Sequence, residues 1–212
     1  MAGSTLPTLG ALFTTPAEAA GAGQPAPASN TPTFNDASSR EYEITLRGAP
    51  DCSLAQYRRL RLAELPSGGT AEGFGPGGND PLPWASYEWV PLDASGEGDP
   101  LEVDHLYLVF SGAPDGVSPE EYEDFYHEHM RENLLQESFT EGWRWRSTPV
   151  RAGSEGRAPG SHLALYRMER DWEFTQKAMA AHIGQLSESW PDWFGQIYFC
   201  SLEAMAIAPG NR

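Results

Sequence analysis

Short apolar runs separated by polar turns dominate the second half of the chain. Four of these runs are rich in leucine, β-branched and aromatic side chains, and they are residues 105–110, 142–146, 161–168 and 195–202. Runs this short, with this composition and with glycine- and proline-rich flanks, are typical of β-strands. The pattern therefore predicts four strands after residue 104.

Two longer segments between these strands carry the signals of helices. Ser118 is followed by proline and then by glutamate at the third helical position, which is the composition of an N-cap with a capping box. This helix is predicted to end near Gln136, and Asp171 is the predicted cap of a second helix that ends near Leu186. The resulting order of strand, helix, strand, strand, helix and strand is that of a ferredoxin-like unit.

The first half of the chain resembles a degenerate copy of the second half. Three apolar runs match in the same order, namely residues 9–13 with 106–110, 55–61 with 141–146 and 85–89 with 164–168. The shared order makes the matches informative, although chance similarity between β-strands is the alternative. Residues 38–47 take the place of the first helix and are predicted as helix, although residues 42–46 alternate as a strand does.

Two domains follow from this comparison. Residues 1–100 are predicted to form a degenerate ferredoxin-like half, and residues 101–212 a complete unit that carries the functional site. Residues 17–33 contain almost only alanine, glycine, proline, serine and similar small or polar residues. Because such a segment has little apolar surface to bury, we expect residues 17–33 to be poorly ordered.

The charge balance excludes some partners. The chain has 30 acidic and 14 basic residues, and its formal net charge is −16. A protein this acidic lacks the cations that bind phosphate backbones, so neither nucleic acid nor an anionic membrane is an expected partner. No apolar run approaches the ~20 residues that a membrane-spanning helix needs.

The cysteines and the N-terminal residues favour a cytoplasmic protein. Cys52 and Cys200 lie far apart and have no metal-binding spacing, which favours two free thiols in a reducing compartment. No basic residue precedes Arg40, so the charged start of a secretory signal is missing. We therefore expect a soluble, cytoplasmic protein.

The first predicted helix has an aromatic face that includes a histidine. Tyr122, Phe125, Tyr126, His129 and Asn133 fall within about 100° of one another on this helix. An imidazole with a pKa near 6.5 can accept and return a proton at neutral pH, which makes His129 a candidate general acid or base. A core histidine with one hydrogen bond is the alternative.

Histidines and tyrosines also share strand faces. His105 and Tyr107 lie on one face of their strand, and His162 and Tyr166 lie on one face of theirs. The leucines on the opposite faces resemble an ordinary core. Two ferredoxin-like units that pair sheet to sheet enclose a cavity, and this assignment places the histidine and tyrosine face inside it, where it could bind a ligand. A solvated sheet face is the alternative.

A tryptophan pair adds a third candidate surface. Trp143 and Trp145 share one strand face, while Arg144 and Arg146 share the other. The tryptophans could stack against an aromatic ligand while an arginine binds its carboxylate or phenolate. A packed aromatic pair with solvated arginines is the alternative.

Metal and nucleotide cofactors have no support in the sequence. His127 and His129 diverge by about 200° around a helix and cannot hold one ion together. His182 is interpreted as a residue of a helix surface. Phosphate-binding and dinucleotide-binding motifs are missing from the sequence, as is a serine-hydrolase motif. We therefore predict no metal and no cofactor.

Residues 122–134, followed by the runs 143–146 and 162–166, resemble the EthD-like branch of the dimeric α+β barrel superfamily. Two departures are the Arg131-Glu132 pair, where relatives often have proline, and residues 139–141, where a Pro-Gly turn is common. The resemblance implies an α+β fold, a ferredoxin-like dimeric α+β barrel with a degenerate first repeat and a complete second repeat. We expect both halves of one chain to close this barrel, and closure across a homodimer is the alternative.

The resemblance also implies small-molecule chemistry without metal or nucleotide. The leading hypothesis is a cofactor-free lyase or cyclase (a dehydratase, decarboxylase or cyclase) that acts on a small hydrophobic, aromatic or polyketide-like substrate. His129 would transfer the proton, while Tyr126 or Tyr166 would bind the developing oxyanion. The expected substrate-binding residues are Tyr122, Phe125, Asn133, His105, Tyr107, Trp143, Trp145 and His162. A cofactor-free monooxygenase and a non-catalytic binding protein are the alternatives.

Overall fold

The structure is a computed structural model that describes residues 6–15, 39–65, 84–151, 156–186 and 190–208. The low-complexity segment predicted at residues 17–33 lies outside the described residues, so its predicted disorder stays a prediction.

Eight strands and two α-helices form the described part of the chain. The strands are β1 (Leu9–Thr14), β2 (Ser39–Leu46), β3 (Arg59–Glu64), β4 (Trp84–Ser95), β5 (His105–Ser111), β6 (Phe139–Arg151), β7 (His162–Met168) and β8 (Cys200–Ala206). The helices are α1 (Pro119–Asn133) and α2 (Trp172–Leu186). Short 3-10 turns occur at Ser53–Gln56, Pro100–Glu102 and Phe194–Gln196.

The strands form one closed antiparallel barrel. Their order is β1-β3-β2-β8-β5-β7-β6-β4, and β4 pairs with β1 to complete the circle. Each half contributes four neighbouring strands, and the halves meet where β2 pairs with β8 and where β4 pairs with β6. The sheet therefore closes within a single chain, as expected from the sequence.

The predicted fold class is wrong. The molecule is a closed, mostly-β antiparallel barrel with two short helices in its described residues, and not a ferredoxin-like α+β dimeric barrel. The predicted helix at residues 38–47 is instead β2, in which Tyr42 and Ile44 are buried while Glu41 and Glu43 are exposed. This two-residue alternation stabilises a strand with one buried face and cannot form one apolar stripe on a helix. The division at residue 100 stays a prediction.

Apolar side chains fill the interior of the barrel. Every strand contributes to one buried cluster, which includes Trp89, Trp143 and Trp145, all fully buried. An eight-stranded barrel has an interior just wide enough for side chains. Leu106 and Leu108 belong to this interior cluster, whereas Tyr107 belongs to an outer cluster that includes Met130 of α1 and Trp172 of α2. The predicted placement of the histidine and tyrosine face inside the barrel is therefore wrong, because the leucine face occupies the interior.

Both helices pack on the outer face of the barrel, and local capping determines where they begin. The Ser118 hydroxyl accepts a hydrogen bond from the Glu121 amide at 3.1 Å, with proline at the next position. The Asp171 carboxylate accepts one from the Phe174 amide at 2.8 Å. The predicted helix starts are confirmed, while α1 ends at Asn133, earlier than predicted. Neither described helix is long and apolar enough to cross a membrane.

A disulfide joins the two halves of the chain. Cys52, which follows β2, is bonded to Cys200, the first residue of β8, with their Cα atoms 6.2 Å apart. The prediction of two free thiols is therefore wrong. Sequence spacing contains no information about this contact, because the pairing of β2 with β8 brings the two residues together.

Loss of this disulfide should destabilise the barrel. Because the bond closes a loop of 148 residues, its reduction should lower the free energy of unfolding by about 2–5 kcal/mol. Urea denaturation with and without a reductant measures the change. A Cys52→Ser/Cys200→Ser variant is the control and should not respond to the reductant. Equal stability of the oxidised and reduced wild-type protein would contradict the prediction.

Candidate functional site

His129 lies in a cage of aromatic rings between α1 and the segment before β8. Its ring centroid is 5.2 Å from that of Phe125, in a stacked arrangement, and 5.5 Å from that of Tyr126. Trp190 and Phe194 complete the cage, with centroids 5.0 and 5.4 Å from the imidazole. Only 7% of His129 is exposed. The predicted aromatic face of α1 is thus a buried histidine site on the outer side of the barrel.

One nitrogen of the buried His129 imidazole lacks a hydrogen bond to the described part of the chain. Among the described residues, its buried Nδ1 atom has no hydrogen-bond partner. The nearest carboxylate oxygen is Oε2 of Glu132 at 3.6 Å, beyond hydrogen-bond distance. Burial lowers the pKa of His129 to about 4, although the Glu132 carboxylate acts in the opposite direction. His129 is therefore neutral at pH 7, and it is a weaker base than an ordinary imidazole.

Glu132 is a site residue that the sequence analysis missed. It follows His129 by three positions, so both side chains lie on one face of α1. Its Oε2 atom also accepts a hydrogen bond from Nε1 of Trp190 at 3.3 Å. The histidine–carboxylate spacing was visible in the sequence, whereas Trp190 and Phe194 come from a loop distant in sequence. Glu132 is positioned to stabilise a protonated imidazole.

Tyr122 and Tyr126 extend the polar side of the cage. The Tyr122 hydroxyl donates a hydrogen bond to Oγ of Ser111 at 2.8 Å, and its ring lies 4.8 Å from that of Tyr126. Burial raises the pKa of Tyr122 to about 12 and the pKa of Tyr126 well above its ordinary value. Both phenols therefore remain protonated at neutral pH.

Tyr166 reaches the same region from β7. Its hydroxyl accepts a hydrogen bond from Nδ2 of Asn133 at 3.1 Å, and its ring stacks 4.7 Å from that of Phe139. Burial raises the pKa of Tyr166 to about 12. Asn133 lies one turn after His129 on α1, so this bond ties the end of the helix to the sheet near the cage.

A charged cluster holds α1 against the sheet. Nη2 of Arg144, a buried residue on β6, lies 2.7 Å from Oε2 of Glu123 on α1. Nη2 of Arg146 and Nε2 of His162 lie 3.2 and 2.9 Å from the other carboxylate oxygen. The Arg144 guanidinium carbon is also 5.5 Å from the ring centre of Tyr126. A positive charge is thus buried beside the cage.

The pKa values of this cluster follow from burial and mutual attraction. Burial lowers the pKa of His162, and the Glu123 carboxylate only partly opposes this effect. Burial would raise the pKa of Glu123, but interactions with His162 and Arg144 lower it overall. The predicted binding residue His162 is therefore a neutral hydrogen-bonding partner of Glu123, beside the ion pairs that Glu123 forms with Arg144 and Arg146 at the start of α1.

The other predicted strand residues lie elsewhere on the outer face. Nε2 of His105 is 2.7 Å from Oε1 of Glu203, whose other oxygen accepts a hydrogen bond from Nε of Arg47 at 2.8 Å. The Tyr107 ring lies 5.4 Å from that of Trp172 at the start of α2. His105 and Tyr107 are thus grouped with α2, apart from the cage of His129.

The predicted tryptophan pair lies inside the barrel. Trp143 and Trp145 are fully buried there, and Nε1 of Trp145 donates a hydrogen bond to the Pro7 carbonyl at 3.2 Å. The barrel wall therefore separates both tryptophans from His129, whereas Arg144 of the same strand faces α1. His127 points away from the cage as expected, and its Nδ1 atom is hydrogen-bonded to the Asp93 carboxylate of β4.

The described ranges contain no group of three or more histidine, cysteine or acidic side chains arranged to hold a metal ion. The metal-free site remains a prediction.

In comparisons with known proteins, no family model matches this chain and no curated protein matches it. The resemblance of residues 122–134 to EthD-like proteins therefore stays a prediction.

The depressed pKa of His129 should make stability depend on pH. An unfolded histidine titrates near pH 6.5, whereas folded His129 titrates at about 4. Between these values only the unfolded state gains the proton, so this stabilising contribution is present above pH 6.5 and is lost as the pH falls towards 4. The free energy of unfolding should drop by about 1–2 kcal/mol between pH 7.5 and 5 because of this residue.

Urea unfolding at both pH values, compared between wild type and His129→Asn, measures this contribution. The variant should lose less stability on acidification, because asparagine does not titrate. Identical pH dependence in wild type and His129→Asn would show that His129 titrates normally.

Proposed function

We propose that the protein is a cofactor-free enzyme that transfers a proton on a small hydrophobic, aromatic or polyketide-like substrate, as a dehydratase, decarboxylase or cyclase does. The supporting observation is the neutral, buried imidazole of His129, whose Nδ1 atom has no hydrogen-bond partner in the described residues but faces the Glu132 carboxylate at 3.6 Å. A core histidine usually has its polar atoms satisfied, because an unsatisfied buried group costs about 1–3 kcal/mol. An unsatisfied nitrogen with this energetic penalty is expected in an enzyme whose imidazole must remain free to accept a proton from the substrate.

Glu132 supplies the countercharge in this mechanism. When His129 accepts a proton, the imidazolium gains a charge in an apolar cage, where an isolated charge is strongly disfavoured. The Glu132 carboxylate, 3.6 Å away, needs only a small shift to form a charge-assisted hydrogen bond. Catalytic hydrogen bonds are often long before substrate binds, and they shorten in the reacting complex.

Protonated phenols and a buried cation support the developing negative charge. Tyr126 contacts the imidazole, and the raised pKa values of Tyr126 and Tyr166 keep both hydroxyls as hydrogen-bond donors. The Arg144 charge lies beside the Tyr126 ring. Donors and a cation in a water-poor site stabilise an enolate or phenolate more strongly than water does.

The cage would bind an aromatic or otherwise flat apolar substrate at its half-buried edge. Its walls are the rings of Phe125, Trp190 and Phe194, and the last two belong to the half-buried edge of the site. Stacked and edge-to-face contacts with such rings contribute about 0.5–1.5 kcal/mol each beyond the burial of area. The apolar walls would also hold the reacting carbon in water-poor surroundings.

The aromatic walls also favour a second candidate function, the binding of an aromatic ligand without catalysis, since a carrier protein needs the same ring contacts.

The relation to EthD-like proteins is proposed on the resemblance of residues 122–134 alone. The cytoplasmic location expected from the sequence is not part of the proposal, because a structural disulfide such as Cys52–Cys200 is typical of oxidising compartments.

Replacement of His129 should abolish proton transfer and leave the fold intact. A suitable probe is 4-hydroxy-4-phenylbutan-2-one, which loses water to form a conjugated ketone that is followed by its ultraviolet absorbance. His129→Asn should lower the rate by ~10²–10⁴-fold, the usual effect of losing a positioned acid or base. The melting temperature should stay within a few degrees of the wild-type value.

The matched control is His127→Asn, which changes a histidine on the opposite face of α1 and should leave the rate unchanged. An active, stable His129→Asn variant would exclude the acid–base role. Tight binding of the probe by wild type without turnover would instead support the carrier function.

Glu132→Gln tests the countercharge separately. The neutral amide is similar in size but cannot stabilise the imidazolium, so the pKa of His129 should fall further below its ordinary value. The rate on the same probe should decrease by at least about tenfold, since 1.4 kcal/mol of lost stabilisation is a factor of ten. Nitrogen chemical shifts of the imidazole, followed by NMR against pH, measure the pKa. An unchanged pKa would show that Glu132 does not interact with His129.

A further inference from the structure

We infer that a cleft at the disulfide-bonded end of the barrel binds a small carboxylate through Arg157. The inference is independent of the proposed function, because the cleft does not include the His129 cage. The cleft has a volume of about 320 Å³, at the lower end of the range for small-molecule sites. Its walls are residues 112–115, which follow β5, together with Arg157, Ala158, Gly160, Gln196 and Tyr198.

The backbone at Arg157 is firmly held. Its amide donates a hydrogen bond to the Asp51 carbonyl at 2.7 Å, and its carbonyl accepts one from the Ser53 amide at 2.8 Å. Gly156 precedes it with a φ of +86°, and a Cβ atom there would lie only 2.6 Å from the Asp51 carbonyl oxygen. Glycine is therefore required for this close approach.

The disulfide anchors the segment to which Arg157 is bound. Cys52 lies between Asp51 and Ser53 and is bonded to Cys200 of β8. Tyr198, two residues before Cys200, donates a hydrogen bond from its hydroxyl to Oδ1 of Asp51 at 3.0 Å. The backbone of Arg157 and the ring of Tyr198 are thus attached to the same cross-linked segment, which pre-organises the cleft.

The guanidinium of Arg157 is placed for ligand binding. Its central carbon lies 3.7 Å from the ring centre of Tyr198. Stacking uses the face of the guanidinium and leaves its in-plane N–H groups available for a planar, bidentate acceptor such as a carboxylate. Among the described residues, no carboxylate forms an ion pair with Arg157. By contrast, Arg144 is paired with Glu123 and Arg167 with Glu141.

The other polar groups of the cleft define the ligand more closely. Asp115 lines the same cleft, and its negative charge opposes a doubly charged phosphate more than a singly charged carboxylate. Gln196 adds an amide that can donate to or accept from a neutral polar group of the ligand. The expected ligand is therefore a small monocarboxylate.

The experiment titrates the oxidised full-length protein with acetate, benzoate and inorganic phosphate, and follows the Nε–Hε resonance of Arg157 by NMR. Acetate or benzoate should give a saturable shift. Arg157→Gln should weaken the affinity at least about tenfold, as expected when a charge-assisted hydrogen bond is lost. Tyr198→Leu, which removes the stacking platform, should also weaken it.

Arg170→Gln is the matched control, because the Arg170 guanidinium stacks 4.4 Å over Phe174 but lines no part of this cleft. It should leave carboxylate affinity unchanged, and so should His129→Asn, which separates this site from the proposed function. The inference is overturned if no carboxylate saturates, if Arg157→Gln binds as tightly as wild type, or if phosphate binds more tightly than both carboxylates.

Discussion

The narrow interior of the closed eight-stranded barrel determines where the polar and charged side chains of this protein can lie. Once Trp89, Trp143 and Trp145 occupy that interior with the leucines, it has little room for histidines, arginines or carboxylates. These groups must lie on the outer face, where only a covering helix can exclude water. In the described residues only the second half has such helices, and the buried ionisable groups are concentrated there. Closure of the barrel therefore places the His129 site on the outer face, beneath α1.

The covering helix is itself held by charge. Glu123 of α1 is joined to Arg144, Arg146 and His162 of the sheet, and burial of such ions is favourable only when their hydrogen bonds are satisfied. The same Arg144 charge lies beside the cage and contributes to the depressed pKa of His129. Arg144 thus helps both to attach α1 to the sheet and to lower the pKa of His129, so a substitution of Arg144 would alter both.

Local signals were sufficient for part of this arrangement. The Ser118 and Asp171 caps act within one turn, so the helix starts were predictable, and helical phase placed His129 on the buried face. Closure depends on contacts between distant segments, which no local window contains. For that reason the sequence predicts neither the Cys52–Cys200 bond nor which face of β5 and β7 lines the interior. Residues 38–47 differ, because their two-residue alternation is a local strand signal and only the comparison with the second half predicts a helix there. Trp190 lies far from α1 in sequence, so it could not be predicted as a neighbour of His129. Glu132 could have been found, because it follows His129 by three positions on the same helix.

The two seams between the halves make the barrel depend on its last strand. Strands β1 to β4 pair among themselves, but the outer partners of β2 and β4 are β8 and β6. Without β8 the sheet would be open, because β2 and β5 would each lack one partner, and such borders readily recruit other chains. The exposed Glu41 and Glu43 of β2, with Arg40, place charges along one of these borders. Charges on an unpaired strand disfavour its pairing with a second chain.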